Sequence, residues 1–405
     1  MNSETYLQSL EKFGINLGLE RINHLLDKLR KPQYKFKSIH IAGTNGKGST
    51  AAMIASILKE AGYKVGLYTS PHIFDYKERI KINGKDISKK EFEEGLKLIE
   101  IISRIPGSSD RLVPDPQITG SPAQPTIFEA LTAVAFWYFA KKKVDFAVIE
   151  VGLGGRLDAT NVLTPLVSVI TNIELEHTEV LGRTLTKIAG EKAAIIKPGV
   201  PVVTAEKKSE PLKVIKKVAQ KNGSLLIQIN GYDSVTIPNL IGEHQKLNAG
   251  CAVSAVRLAG INVTRAQIVK GLKKTEWPGR FQVISRKPLI IMDGAHNPAG
   301  AKVLKVTIQK RFPSKYTVIF GCQKTKDVGV MLKELKPLIS NLIITRSSHA
   351  QAQDPSYIYS RLKWKIPVHV AHSVSEALLR WDEKTPLLIT GSLFLVADLL
   401  KLLQD

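Results

Sequence analysis

Short β-branched runs alternate with longer amphipathic stretches along the first half of the chain. SIHIAG (38–43), KVGLYT (64–69), DFAVIEVG (145–152), LVSVITN (166–172) and PVVTA (201–205) have the length and composition of buried strands. Between them, residues 47–61, 126–140 and 184–196 carry apolar positions at helical spacing. Such alternation predicts parallel strands with crossover helices on both faces of one sheet. A second series begins near residue 283 with PLIIMDGAH, YTVIFG, LIITRS, IPVHVAH and PLLITGS, each followed by a helical pattern. The expected architecture is α/β: a larger domain over 1–282 on a mostly parallel sheet, and a smaller α/β domain over 283–405. Helical patterns at 243–259 and 264–273 precede the turn-rich WPGRF, which reads as the approach to that boundary. Residues 105–125 are dense in Pro, Gly and Ser and read as a long loop.

Composition narrows the function without deciding it. A chain of 405 residues that is 43% hydrophobic can build at least one large core. Its 58 Lys and Arg against 36 Asp and Glu give a net charge of +22, which suits anionic ligands such as nucleotides and polycarboxylates. The cations are spread along the chain, with only short runs such as Lys141–Lys143, and no nucleic-acid motif accompanies them, so no nucleic-acid partner is expected. Cys251 and Cys322 sit in apolar surroundings and read as reduced packing thiols. The N-terminal MNSETYLQSLEKFG lacks the apolar core of a signal peptide, and no run approaches the roughly 18 uncharged apolar residues of a membrane span. A cytoplasmic protein with no membrane partner is expected.

The chemistry concentrates in GTNGKGST (43–50), which joins the first strand to a helix. Gly43, Gly46 and Gly48 let backbone N–H groups approach an anion, and Thr44 and Asn45 complete the loop. Lys47 supplies charge to the phosphates, and the helix start adds its positive dipole end. The commonest phosphate-loop pattern has Ser or Thr directly after the lysine, whereas Gly48 intervenes here. Either Ser49, the nearer candidate, or Thr50 could then offer a hydroxyl to magnesium. Glu150 ends the strand DFAVIE, and His177 follows another strand in TNIELEH; both positions suit metal ligation near phosphates. Lys192, in GEKAAIIK, reads by itself as a helix-surface lysine.

These residues closely resemble the folylpolyglutamate synthase/dihydrofolate synthase family of the Mur ligase superfamily. The resemblance runs through FGINLGLERI (13–22), IHIAGTNGKGST (39–50), YTSPHI (68–73), ERIKINGK (78–85) and PTIFEALTAVAF (125–136). It continues through VGLGGRLDATN (151–161), TNIELEHTEVLG (171–182), GEKAAIIKPG (190–199), GEHQKLNA (242–249), WPGRFQV (277–283), DGAHNPAG (293–300) and LITGSL (388–393). It implies a P-loop Mur-ligase-type ATPase domain followed by a Rossmann-like glutamate ligase domain, with ATP held between them. Such enzymes use ATP to phosphorylate a carboxylate, and the amine of L-glutamate then attacks the acyl phosphate. The resemblance makes ATP a co-substrate and implies Mg2+ at two sites, a monovalent cation and a monomer. Ser70, Glu150 and His177 match its magnesium positions, and Lys192 matches a lysine that is carbamylated into a carboxylate-like ligand. Asn248, Arg280 and Asp293 match nucleotide-holding positions, with His296 beside the nucleotide. A dihydropteroate or reduced folate would meet Leu17, Gly18, Thr126, Phe128, Glu129, Leu157, Asp158 and Ala159. Read without the resemblance, helix capping by Thr126, Glu129 and Asp158 and core packing by Phe128 is the lesser alternative.

Several positions depart from that pattern. Glu174 stands where glycine is common, Glu176 where aspartate is common, Thr325 where aspartate is frequent and Gln351 where arginine is common. Two rival readings remain: another amino-acid ligase of the superfamily, and a basic nucleotide-binding regulator. Only about 38 residues precede the first strand, short for the extra recognition domain that a uridine-nucleotide substrate would need.

Overall fold

The computed structural model describes residues 3–104, 124–232, 237 and 239–403. Nearly all of the predicted loop at 105–125 therefore lies outside the described residues. No described helix is long and apolar enough to cross a membrane.

Eight strands form the first sheet: β1 (Lys37–Ala42), β2 (Val65–Tyr68), β3 (Ile80–Ile82), β4 (Lys85–Asp86), β5 (Phe146–Glu150), β6 (Val167–Ile170), β7 (Val202–Thr204) and β8 (Leu226–Gln228). Their order is β4-β3-β2-β5-β1-β6-β7-β8. Every pairing from β2 to β8 is parallel, as the alternating pattern predicts. The β3–β4 hairpin is the antiparallel edge. It turns at Asn83-Gly84, whose φ values of 50° and 82° are the left-handed pair that a tight hairpin needs. Behind the sheet, the helix Ile127–Lys141 starts with a capping box between Thr126 and Glu129. Its Phe136 and Phe139 join Tyr68, Ile22, Leu25 and Leu26 in a core with no solvent access.

The second sheet contains β9 (Gln282–Arg286), β10 (Leu289–Asp293), β11 (Tyr316–Phe320), β12 (Ile339–Ile344), β13 (Val368–Val370) and β14 (Leu387–Thr390), in the order β13-β12-β11-β14-β10-β9. Strand residues alternate between two cores. Val318, Phe320, Leu342 and Ile344 face one helical layer, and Ile319, Ile343 and Ile389 face the other. Helices on both faces explain why these strands read as continuous apolar runs.

The chain divides into two compact units, Met1–Val235 with Leu247–Leu272, and Thr236–Lys246 with Lys273–Asp405. This differs from the single cut expected after residue 282. WPGRF is bound to the second sheet rather than leading up to it, since Gly294 N–H donates to Gly279 O at 2.8 Å and Phe281 N–H to Asp293 Oδ2 at 2.7 Å. Residues 282–286 then form β9, antiparallel to β10 and absent from the predicted strands. The start of the helix Glu243–Leu258 and the residues before it join the same unit, where Ile241 packs on its core and Glu243 pairs with Lys310 at 3.0 Å.

Candidate active site

Four neighbouring strands of the first sheet, β2, β5, β1 and β6, deliver their carboxyl ends to one region, the edge where open α/β sheets hold ligands. Gly43–Gly46 leaves β1 and enters the helix Lys47–Glu60. A Cβ on Gly43 would fall 1.8 Å from Thr171 Oγ1, so only glycine fits against the end of β6. Gly46 is left-handed with φ 85°, and a Cβ there would meet Asn248 Oδ1 at 2.4 Å. Asn248, a predicted nucleotide position 202 residues along the chain, is thus packed on the loop. Thr44 N–H donates to Asn172 O, and Asn45 N–H to Asn172 Oδ1, both at 2.8 Å. Lys47 Nζ folds back to Thr44 O at 3.2 Å. Ser49 and Thr50 are both buried in the first helical turn, and Thr50 Oγ1 has no hydrogen-bond partner among the described residues.

Of the predicted metal positions, Ser70 follows β2, Glu150 ends β5 and His177 follows β6, at the same carboxyl edge of the sheet as the loop. Glu150 is buried at the end of β5, where its Oε2 accepts the Ser70 N–H at 3.1 Å. His177 caps a short helix in a left-handed conformation, φ 51°, uncommon for a side chain of this size. Lys192 is the largest departure from the bare sequence reading. It is buried, not on a helix surface, and its Nζ donates to Gly43 O at 2.9 Å. Burial, reinforced by the Lys47 ammonium and opposed by Glu176 and Asp158, lowers its pKa to about 7. The unusual Glu174 has a local role: it pairs with Lys208 Nζ at 2.5 Å, and its N–H donates to Thr44 Oγ1 at 3.0 Å, tying the His177 segment to the phosphate loop.

Beside these groups lies a cavity of about 310 Å3, and all eight predicted pterin positions line it: Leu17, Gly18, Thr126, Phe128, Glu129, Leu157, Asp158 and Ala159. Ser70 and His177 line it as well. Phe128 lies over Gly152, where a Cβ would come within 2.5 Å of the ring. The two carboxylates are engaged by the chain itself. Asp158 Oδ1 accepts from Thr160 N at 3.0 Å and Thr160 Oγ1 at 2.5 Å, and Oδ2 accepts from Leu153 N at 2.8 Å. Glu129 Oε2 accepts from Thr126 N at 2.7 Å, Thr126 Oγ1 at 2.9 Å and Arg21 Nε at 3.0 Å. Both therefore act as helix caps while lining the cavity.

Sequence reasoning missed Arg79 and Arg21. Arg79 lines the cavity, donates Nε–H to His72 Nδ1 at 3.0 Å and lies over the Tyr76 ring. Both arginines sit inside motifs that carry the resemblance, yet nothing in the spacing distinguishes them from surface cations. In the second unit, Arg280, Asp293 and His296 converge on Gly294. Arg280 Nη1 approaches its carbonyl at 3.4 Å, and His296 Nδ1–H donates to it at 2.9 Å. Asp293 accepts the Phe281 N–H, as noted, and that of Ala295 at 2.8 Å. A second cavity, about 780 Å3, lies at the carboxyl ends of β11, β12 and β13 and is lined by Lys324, Arg346, Lys401, Asp354 and Asp398 among others.

Residues 279–393 match the Mur ligase, glutamate ligase domain family. Dihydrofolate synthase/folylpolyglutamate synthase of Bacillus subtilis is 35% identical over 100% of this chain and 99% of its own length. The chain belongs to the dihydrofolate synthase/folylpolyglutamate synthase family. Among solved members, Escherichia coli FolC in complex with DHPP and ADP superimposes with a TM-score of 0.86 at 29% identity, covering 100% of this chain and 98% of that one. The bifunctional Yersinia pestis enzyme, complexed with AMPPNP and a Mn ion, gives 0.86 at 28% identity with the same coverages. The two mostly parallel sheets are the Mur-ligase-type fold of these family members.

Proposed function

We infer that this chain is an ATP-dependent ligase that adds L-glutamate to dihydropteroate, to the γ-carboxylate of folates, or to both. One observation carries the reading. The cavity lined by the eight pterin positions also contains Ser70 and His177 of the metal set, so an acceptor in it would present its carboxylate beside the phosphate loop.

In this reading the loop amides of Gly43–Gly48 and the helix start hold the triphosphate, and Lys47 leaves Thr44 O to neutralise the transferring phosphoryl group. The acceptor carboxylate oxygen attacks the γ-phosphorus, ADP departs, and an acyl phosphate forms. The neutral amine of L-glutamate then attacks the acyl carbon; phosphate leaves with the C–O electron pair and the amine loses a proton as the amide forms. Asn248, Arg280 and Asp293 are assigned to the nucleotide and His296 to the reacting end. Phe128 offers a face to the pterin ring, with Leu17, Gly18, Leu157 and Ala159 as walls.

The hydroxyls of Ser49 and Ser70 and the Glu150 carboxylate are oxygen donors that suit a hard cation, and the His177 imidazole would add one nitrogen. Among the described residues no three His, Cys, Asp or Glu side chains form a metal cluster, so binding would draw on phosphate oxygens and on Lys192 as a carbamate. A pKa of about 7 supports that modification, because carbon dioxide reacts with the neutral amine. Magnesium held there would neutralise phosphate oxygens. A second magnesium, a monovalent cation, a monomeric state and a cytoplasmic setting, with the two buried free thiols in accord, complete the proposal.

The test supplies ATP, Mg2+ and L-glutamate with either dihydropteroate or tetrahydrofolate, and identifies products by mass spectrometry. Amide formation with one or both acceptors, matched by ADP and phosphate, is expected. ADP release without an amide product from either would refute the reading.

A further inference from the structure

One wall of the acceptor cavity is a loop, Gly14–Gly18, between the short helix Glu11–Phe13 and the helix Glu20–Lys28. Ile15 and Asn16 are exposed, and Gly14 is left-handed, φ 51°, with open space where a side chain would stand. The loop is tied down by Arg21, in the first turn of the following helix. Arg21 Nη2 donates to Asn16 O at 2.5 Å, while Nε donates to Glu129 Oε2 at 3.0 Å and Nη2 stands 3.0 Å from Oε1. One guanidinium thus fastens the loop to the capping carboxylate of the helix Ile127–Lys141, across 108 residues of sequence.

Both ends of this latch are fixed. Glu129 is 3% exposed and is held by Thr126 N and Oγ1, and the Arg21 side chain is 13% exposed. Arg21 itself does not line the cavity, whereas its two partners Asn16 and Glu129 do. We propose that Arg21 is a positioning residue for acceptor binding, holding the Gly14–Gly18 wall against Glu129 at the spacing the pterin-bearing substrate requires. This rests on the reading that such a substrate occupies the cavity. It also gives Glu129 a different role from direct recognition of the ring: its carboxylate anchors the wall. The planar fork aims Nε at Glu129 Oε2 and Nη2 at the Asn16 carbonyl, a fixed two-nitrogen geometry that the single nitrogen of an ammonium does not reproduce.

Steady-state kinetics of the full chain test the latch, using whichever of dihydropteroate and tetrahydrofolate the unmodified enzyme accepts. Arg21→Met should raise the KM for that acceptor about tenfold and leave the KM values for ATP and L-glutamate within about twofold. Arg21→Lys, which keeps the charge and one contact, should fall between, and it carries the test if Arg21→Met does not fold. The double variant Arg21→Met/Glu129→Gln should be no worse than the sum of its parts predicts, and closer to the worse single variant, since both changes open one latch. An unchanged acceptor KM in a folded Arg21 variant, an equal rise in all three KM values, or a loss of folded protein alone with normal KM overturns the proposal. An unmodified enzyme that forms no amide with either acceptor overturns the underlying reading, and the latch with it.

Discussion

Lys192 illustrates what single residues hide in a sequence. GEKAAIIK has the polarity of a helix surface, but the lysine points into the protein and donates to Gly43 O. Only the packing of a helix near residue 190 against a loop near residue 43 brings it to the loop. Glu129 and Asp158 pose the reverse problem. A capping carboxylate and a ligand-binding one look alike in sequence, and here the same groups cap helices and line the cavity. Two predictions belong at this scale. Lys47→Ala should lower kcat by about a hundredfold or more, measured as ADP release, since the charge opposing the transferring phosphoryl group is gone; near-normal turnover would refute its role. For Lys192 the sign follows from burial, which lowers its pKa to about 7. Below that pH the ammonium form dominates and little carbamate forms, so added bicarbonate should stimulate the rate little below about pH 7 and more above it, relative to the same buffer without bicarbonate. Lys192→Arg keeps a cation that neither deprotonates nor carbamylates, and should stay inactive across the range. Activity in that variant would exclude the carbamate.

At the scale of elements, the parallel strands were readable because they are buried on both faces and so appear as uninterrupted β-branched runs. β1, β5, β6 and β7 fall inside the stretches predicted for them, apart from Lys37 at the start of β1. β3, β4, β8 and β9 escaped that pattern. They are short or at sheet edges; IKI, LIQ and QVISR mix charged or polar residues with apolar ones, and KD has no apolar residue at all. Edge strands need no continuous apolar run, so hydrophobicity does not mark them. The phosphate loop was readable for a different reason: its glycines are required by geometry. Gly46 sits at φ 85° with Asn248 Oδ1 where a Cβ would be. Gly46→Ala should therefore combine a left-handed backbone penalty of roughly 1–2 kcal/mol with displacement of Asn248. Calorimetric titration with a non-hydrolysable ATP analogue should show affinity reduced about tenfold or more. Unaltered binding would mean that the amides of this turn do not hold the nucleotide.

For the whole molecule, the informative quantity is the net charge of +22, which composition alone could not interpret. Nucleic acid, membranes and small polyanions would all account for it. An assignment to the dihydrofolate synthase/folylpolyglutamate synthase family selects the last, since ATP, glutamate and polyglutamylated folates are all anions. The excess then has a consequence that a local site lacks. Long-range attraction acts on the total charge of the incoming substrate and is screened over about 10 Å at 0.1 M salt. If the field of the chain steers acceptors, kcat/KM should fall with ionic strength, and more steeply for a folate carrying three glutamates than for one carrying a single glutamate. The comparison is made at constant potassium, with added sodium chloride between about 0.05 and 0.2 M, so that any requirement for a monovalent cation stays saturated. Diverging slopes would assign the charge to substrate capture. Parallel slopes would mean that the acceptor's extra carboxylates approach without feeling the protein's field, and the basic composition would then need an explanation outside this reaction.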